Sequence, residues 1–291
     1  MFGVFIAVAF GLAAALSWGV SDYLGGYSSK KIGYYNTTAY VGLFSAIVTA
    51  PFLLYAGISS AVNNFILFLA ILASVSAFFG FLLSNKAFKY GNISINTPII
   101  NSYTVVVVLV GVFVLNDTIS NYGAMSISAI LVGIILLSTR ASRSNLKKRY
   151  LAVGVGSAVL AMLALSVISI FAGAYINQIG FAQLAFLESS VIAICGFSAK
   201  RVVGGRIPKN FGHIRYAAFS GITNGLAFIA YMYALNLDSS TLPILSAVSG
   251  FSTAVTVILA IILLRERPAL NQKIGIALAA AGIIALAYIA A

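Results

Sequence analysis

Ten apolar runs, each long enough to cross a bilayer as a helix, divide this chain: about 3–22, 35–56, 65–87, 93–115, 121–139, 151–173, 181–199, 215–235, 241–264 and 272–290. A hydrocarbon core takes about 20 residues of helix, so ten spans consume roughly 200 positions and leave only short connections. Turn chemistry marks the breaks: Gly57 with Ser59 and Ser60, Gly91-Asn92, Asn116-Asp117, Arg206-Ile207-Pro208 and Asp238-Ser239. Irregular backbone cannot face lipid, so these breaks belong at the water interfaces. The expectation is an all-α integral membrane protein with ten transmembrane helices. Only 8% of the residues are charged and the mean hydropathy is +1.06, whereas soluble domains carry about 25% charged residues. A large soluble domain, a secreted protein and a fibrous protein are excluded on that ground.

The net charge of +12 is an orientation signal rather than a nucleic-acid surface. Every Lys and Arg falls in or beside alternate breaks: Lys30 and Lys31; Lys86 and Lys89; Arg140, Arg143, Lys147, Lys148 and Arg149; Lys200, Arg201, Arg206, Lys209 and Arg215; Arg265, Arg267 and Lys273. The other breaks hold only Asp117 and Asp238. One missed or invented span would mix the two sets. By the positive-inside rule the basic linker 140–150 is expected in the cytoplasm, both termini outside, and the chain in the cell membrane as a multi-pass protein. Residues 1–20 lack a basic leader region and read as the first span rather than a signal peptide. The lone Cys195 permits no intrachain disulfide, and neither a metal site nor any other cofactor is expected.

The chain also resembles itself. A shift of 147 positions aligns Val8 with Val155, Ala14 with Ala161, Ile32-Gly33 with Ile179-Gly180, Phe81 with Phe228 and Ala87 with Ala234. A shift of 149 aligns Asp117 with Glu266 and Gly133 with Gly282. With five spans per copy the second copy enters the membrane from the opposite side, so two inverted five-helix repeats are expected. Inverted repeats are a construction of secondary transporters, with solute bound near the midplane between the halves.

Polar residues inside spans are expensive and turn toward partners or an aqueous cavity. Glu188 lies within the seventh run with no cation in that span to pair with, which suits proton coupling, amine binding or a hydrogen-bonded packing role. Asp22 ends the first run, where it reads as a coupling or binding carboxylate or as an interface residue paired with Lys30 or Lys31. Trp18, one turn earlier, could wall a cavity or anchor at the interface. The fourth run begins with Pro98 and offers Asn101 and Tyr103; the ninth has Pro243, Ser249 and Ser252; Asn85, Asn224 and Tyr231 sit in the third and eighth. These are the candidate solute-binding residues. Small residues every fourth position, Gly3 to Gly19, predict close packing of the first helix; Ala129 with Gly133, and Ala277, Ala281 and Ala285, do the same in runs five and ten and permit a homodimer there. One His, one Cys and five acids build no recognisable catalytic site, and no phosphate-cradling loop occurs.

Pro98-Ile99-Ile100-Asn101-Ser102-Tyr103, then an apolar run closed by Asp117, resembles an EamA-domain signature. The stretch from Ser249 to Glu266, followed by Gly275 and Gly282, is similar, and Trp18-Gly19 fits late in the first helix. Two departures are Asp117 where Glu is usual and Pro243 four residues before the position matching Pro98. The resemblance is to the EamA-type branch of the drug/metabolite transporter superfamily and covers two copies, 1–139 and 151–291, around the 140–150 linker. It implies a central cavity lined by helices 1, 3, 4, 6, 8 and 9, which moves the solute site away from Glu188 in the seventh span.

The expected function is secondary active transport, by alternating access, of a small neutral or zwitterionic organic solute. An amino acid or related metabolite, exported, is the expectation, and a proton is the candidate coupling ion. The alternatives are a facilitative channel of the same fold and a membrane-embedded enzyme. The expected partners are the lipid bilayer and the solute; no nucleic acid is expected.

Overall fold

A computed structural model describes residues 2–58, 62–117, 119–138, 148–204, 208, 211–264 and 270–290. Arg140, Arg143, Lys147 and the rest of 139–147 lie outside the described residues, as do Arg206, Lys209, Arg265, Glu266 and Arg267. The described elements are helical: α1 Phe2–Ile32, α2 Tyr34–Ala56, α3 Asn64–Tyr90, α4 Ile93–Asn101, α5 Tyr103–Phe113, α6 Asn121–Ser138, α7 Lys148–Ile179, α8 Phe181–Val202, α9 Phe211–Leu237, α10 Leu242–Ser249, α11 Ser252–Leu264 and α12 Leu270–Ala290. A single 3₁₀ turn, Ser239–Thr241, leads into α10. Eight stretches, counting α4–α5 as one and the 3₁₀ turn with α10–α11 as another, are long and apolar enough to cross a membrane. Asn121–Leu136 and Lys273–Ala285 are apolar but shorter.

Large apolar side chains face outward around the bundle, among them Phe113, Leu163, Ile194, Ile262 and Ile284. A soluble protein does not expose so extensive an apolar surface; a lipid-facing shell does. This is a multi-pass membrane protein.

Packing between elements follows the repeat register. α1 lies on α9 and α3 on α7; α2 meets α8 and α6 meets α12; α1 also contacts α10 and α11, as α7 contacts α4 and α5. Exchanging the two halves converts each of these contacts into another on the same roll. Small residues make the close ones. A Cβ on Gly42 would lie 2.8 Å from Ala193 Cα, and one on Gly196 would lie 2.8 Å from Ala39 Cα, so α2 and α8 cross backbone to backbone. Gly11, in the predicted stripe of α1, faces Val248 of α10. Gly133 and Gly282 are used between α6 and α12, while Ala277 and Ala281 remain exposed.

Two glycines carry the sharpest turns. Gly33 (φ 82°, ψ 152°) is the single residue between α1 and α2, and Gly180 (φ 88°, ψ 145°) the single residue between α7 and α8. This backbone region favours Gly, and the two positions are the ones the 147-residue shift aligns.

The first run ends later than the sequence suggests. Asp22 was expected at a helix end near the interface, but α1 continues to Ile32. Gly25-Gly26 and Ser28-Ser29 look like a break, yet they are tightly packed. Gly25 faces Ser220 and Asn85, Gly26 faces Ile93, and both serine hydroxyls are bonded, to Thr37 and Asn85. The fourth and ninth runs, expected as continuous spans, are each broken. Pro98 supplies no N–H to α4, and the chain turns at Ser102, whose N–H donates to Pro98 O at 3.1 Å. Its counterpart turns at Gly250-Phe251. The breaks touch: Gly250 abuts Thr104 Oγ1, and Asn101 Nδ2 donates to Ser252 Oγ (3.0 Å) and Thr253 Oγ1 (3.1 Å).

Candidate functional site

The broken helices close one side of an internal cavity of about 70 Å3, room for about five water molecules or a small solute. Its lining comes from both halves in matching positions. At a spacing of 147 the lining includes Trp18 and Leu165, Ser21 and Ile168, Asp22 and Ser169, Val41 and Glu188, Phe81 and Phe228, Ser84 and Tyr231, and Asn85 and Met232; at 149, Tyr103 and Ser252. The same places in each half therefore build the wall, but the chemistry is uneven. The first half supplies Trp18, Ser21, Asp22, Ser84 and Asn85 where the second supplies Leu165, Ile168, Ser169, Tyr231 and Met232. The second half also brings Glu188, Ser220 and Ser252, so polar side chains come from both halves.

Of the residues singled out by sequence, Trp18, Asp22, Asn85, Asn101, Tyr103, Glu188, Tyr231 and Ser252 line this cavity. Asn224 and Ser249 stand behind the lining and hold it. Asn224, fully buried, accepts from Trp18 Nε1 at 3.1 Å and donates to Ser45 Oγ at 3.0 Å. Ser45 Oγ in turn donates to Gly221 O at 2.9 Å. This chain ties α1, α9 and α2 together and fixes the plane of the indole. Ser249 hydrogen-bonds Tyr103, and Ser246 shares a 2.7 Å hydrogen bond with the Tyr231 hydroxyl, so α10 anchors both cavity tyrosines.

Asn101 reaches Asp22 as well as the Ser252–Thr253 pair, linking α1 to the meeting point of the broken helices. Asn85 accepts from Ser29 Oγ (2.9 Å) and donates to Thr38 Oγ1 (3.1 Å). Glu188 is 2% exposed, and its Oε2 finds no hydrogen-bond partner among the described residues. The family resemblance placed helices 2 and 7 outside the lining; the structure brings one side chain from each, Val41 and Glu188, to the cavity. The backbone contact at Gly42 and Gly196 carries α2 and α8 far enough inward for that.

Sequence reasoning missed Ser21, Phe81, Phe228 and Ile168 as lining residues. The repeat register was the available signal, since Phe81 and Phe228 are one of its aligned pairs. Ser21 and Ser220 exchange hydroxyl-to-carbonyl bonds of 2.9 and 2.8 Å beside the cavity, a cross-link between α1 and α9 that composition does not show.

The two ends of the bundle differ in charge. Near Lys31 the rings of Tyr27 and Tyr216 meet at 4.7 Å, with Lys31 over Tyr27 and Arg215 over Tyr216. Lys89 sits over Tyr34 and Tyr90. At the other end of the α4–α5 stretch, in the connection to α6, Asp117 is pushed up to about 6 by burial and then by the neighbouring charge of Asp238. Asp238 itself caps the 3₁₀ turn, accepting from Ser240 N at 3.1 Å.

A polar hollow held by two broken helices inside a lipid-facing shell is the architecture of a membrane solute transporter. Residues 5–139 and 152–288 each match the EamA-like transporter family. The chain belongs to that family, and so to the drug/metabolite transporter superfamily, whose work is moving small solutes across membranes. A crystal structure of a protein 17% identical in sequence aligns over 98% of this chain and 97% of its own with a TM-score of 0.75, a likeness of fold. No curated protein sequence matches.

Proposed function

We propose that this protein is a secondary active transporter of a small neutral or zwitterionic organic solute, an amino acid or related metabolite, and that it works in export. The observation that carries the reading is the matched lining: equivalent positions of the two repeats line one cavity. Two inverted five-helix halves, giving ten spans in all, can rock about such a site and expose it to either side in turn. Multiply charged anions fit poorly, because among the described residues no basic side chain lines the cavity and Lys86 is not among its walls. The basic ends of α1, α3 and α8 belong in the cytoplasm on this reading, and the Asp117–Asp238 end outside. Asp22 or Glu188 serves as the proton-coupling carboxylate, Tyr103 and Tyr231 being the other titratable groups on the lining.

Proteoliposomes test this. An opposing gradient of unlabelled solute should drive counterflow of labelled solute, and a pH gradient should drive net flux. Glu188→Gln or Asp22→Asn should abolish the pH-driven component. An open pore gives no counterflow, and an embedded enzyme forms product in detergent without a compartment; either result refutes the proposal. Labelling single cysteines placed at Lys30 and Asp238, in a Cys195→Ser background, should reach opposite faces of oriented vesicles. Labelling of both from one face overturns the orientation.

A further inference from the structure

Among the described residues three buried side-chain oxygens have no hydrogen-bond partner: Asp117 Oδ2, Ser84 Oγ and Glu188 Oε2. The last two line the same cavity. Unsatisfied polar atoms at buried positions are costly and uncommon, and in a cavity they mark where a ligand atom belongs. Glu188 Oε2 as a carboxylate needs a donor, and Ser84 Oγ accepts or donates. A ligand group that donates hydrogen bonds can satisfy both oxygens.

Charge sharpens the choice. Asp22 and Glu188 both line the cavity, and among the described residues no basic side chain accompanies them. At the breaks in the helices several N–H groups are already engaged. Ser102 N, Val105 N, Gly250 N and Thr253 N are all bonded to backbone carbonyls. An anionic group finds no basic side chain among the described lining residues, while a cation can pair with a carboxyl group and lie against the aromatic faces of Trp18, Phe81 and Tyr231. The lining also includes Leu165, Ile168, Phe228 and Met232, which favour a hydrocarbon body.

We propose that the cavity binds a small primary ammonium on an apolar body, the ammonium donating to Glu188 Oε2 and Ser84 Oγ and the body lying on the Leu165–Ile168–Phe228–Met232 wall. This rests on the transporter reading: an apolar amino acid narrows its solute, and a simple amine, a cation, replaces the neutral or zwitterionic one. The ammonium can be that of a simple amine or the α-ammonium of an apolar amino acid.

Trp18, the single tryptophan of the chain, lines the cavity and reports occupancy by its fluorescence. Purified full-length protein in detergent is titrated with isoamylamine, isoamyl alcohol, isovalerate and leucine. Isoamylamine or leucine should change the emission saturably, with the alcohol and the carboxylate about tenfold weaker or more, the size expected for a charge-assisted bond. Leucine binding as well as isoamylamine identifies the amino acid as the source, and leucine binding much more weakly identifies the simple amine. Glu188→Gln should weaken the ammonium ligand about tenfold while the alcohol changes little. If that variant does not fold, Ser84→Ala, with a loss of about threefold, reads the same site. Equal affinity for isovalerate or the alcohol, unchanged ammonium affinity in a folded Glu188→Gln, or no saturable response to either ammonium overturns the proposal. Binding without counterflow in proteoliposomes leaves this site standing and removes the transport reading. Counterflow of another solute, without ammonium binding, does the reverse.

Discussion

The Trp18–Asn224–Ser45 chain can be broken at one atom pair and weighed. Asn224→Leu keeps the volume of a fully buried side chain but removes the acceptor of Trp18 Nε1 and the donor to Ser45 Oγ. Interhelical hydrogen bonds in membrane proteins average about 0.6 kcal/mol with a maximum near 1.7, so two of them contribute about 1 kcal/mol. An indole N–H left unpaired in a buried setting adds about 1 kcal/mol more. Trp18→Phe removes the same N–H while keeping an aromatic face toward Phe228 and Tyr231, which the indole meets at 6.1 and 5.4 Å. Equilibrium unfolding of wild type, both single variants and the double variant in mixed detergent gives the coupling energy. We expect Asn224→Leu to cost about 2 kcal/mol and the two changes to be less than additive by about 0.6–1.7 kcal/mol. Additivity within about 0.3 kcal/mol would refute the argument, because it would mean the two side chains do not share the bond.

Gly42→Ala should be destabilising where Gly156→Ala is not. Both substitutions gain about 1 kcal/mol of helix propensity, but the first drives a methyl to 2.8 Å from Ala193 Cα while the second meets open space. Overpacking against backbone costs about 1–3 kcal/mol, so the melting temperatures of the two variants should differ by several degrees, and equal values would sink the close-crossing account. Asp117 supplies a pH signature. Its folded-state value of about 6 lies above the ordinary 3.8, so the folded chain holds this proton more tightly than the unfolded one and stability falls as pH rises between those values. Asp117→Asn should melt above wild type at about pH 7.5 and lose that advantage below about pH 4. Solvent screening at this partly exposed site keeps the gap under about 1 kcal/mol, and a gap that widens at acid pH would contradict the assignment.

Helices, their order and the segregation of cations were legible because lipid imposes long uncharged runs and allows few alternatives. The register of the duplication was legible for the same reason: it placed Ile32-Gly33 opposite Ile179-Gly180 and Phe81 opposite Phe228 before any contact was known. Helix ends were less readable. Gly25-Gly26 and Ser28-Ser29 have the composition of a loop, and only their packing against Asn85, Ser220, Ile93 and Thr37 explains why α1 runs on and carries Asp22 to the cavity. Within the site, polarity singled out Asn101, Tyr103 and Glu188, since such groups need a reason to be in a span. It could not separate Asn224, which buttresses, from Asn85, which lines. The aromatic wall was hidden because Phe81 and Phe228 pattern like any core residue. The bond between Trp18 and Asn224 joins residues 206 positions apart, a distance over which periodicity carries no information.

The one-residue joints at Gly33 and Gly180 act as a matched pair of knees. With a single residue between one helix and the next, there is little slack at the joint, so α1 and α2 are tied to one another there, as are α7 and α8. Val41 and Glu188 ride on α2 and α8. A displacement of α8 would therefore carry the buried carboxyl group with it.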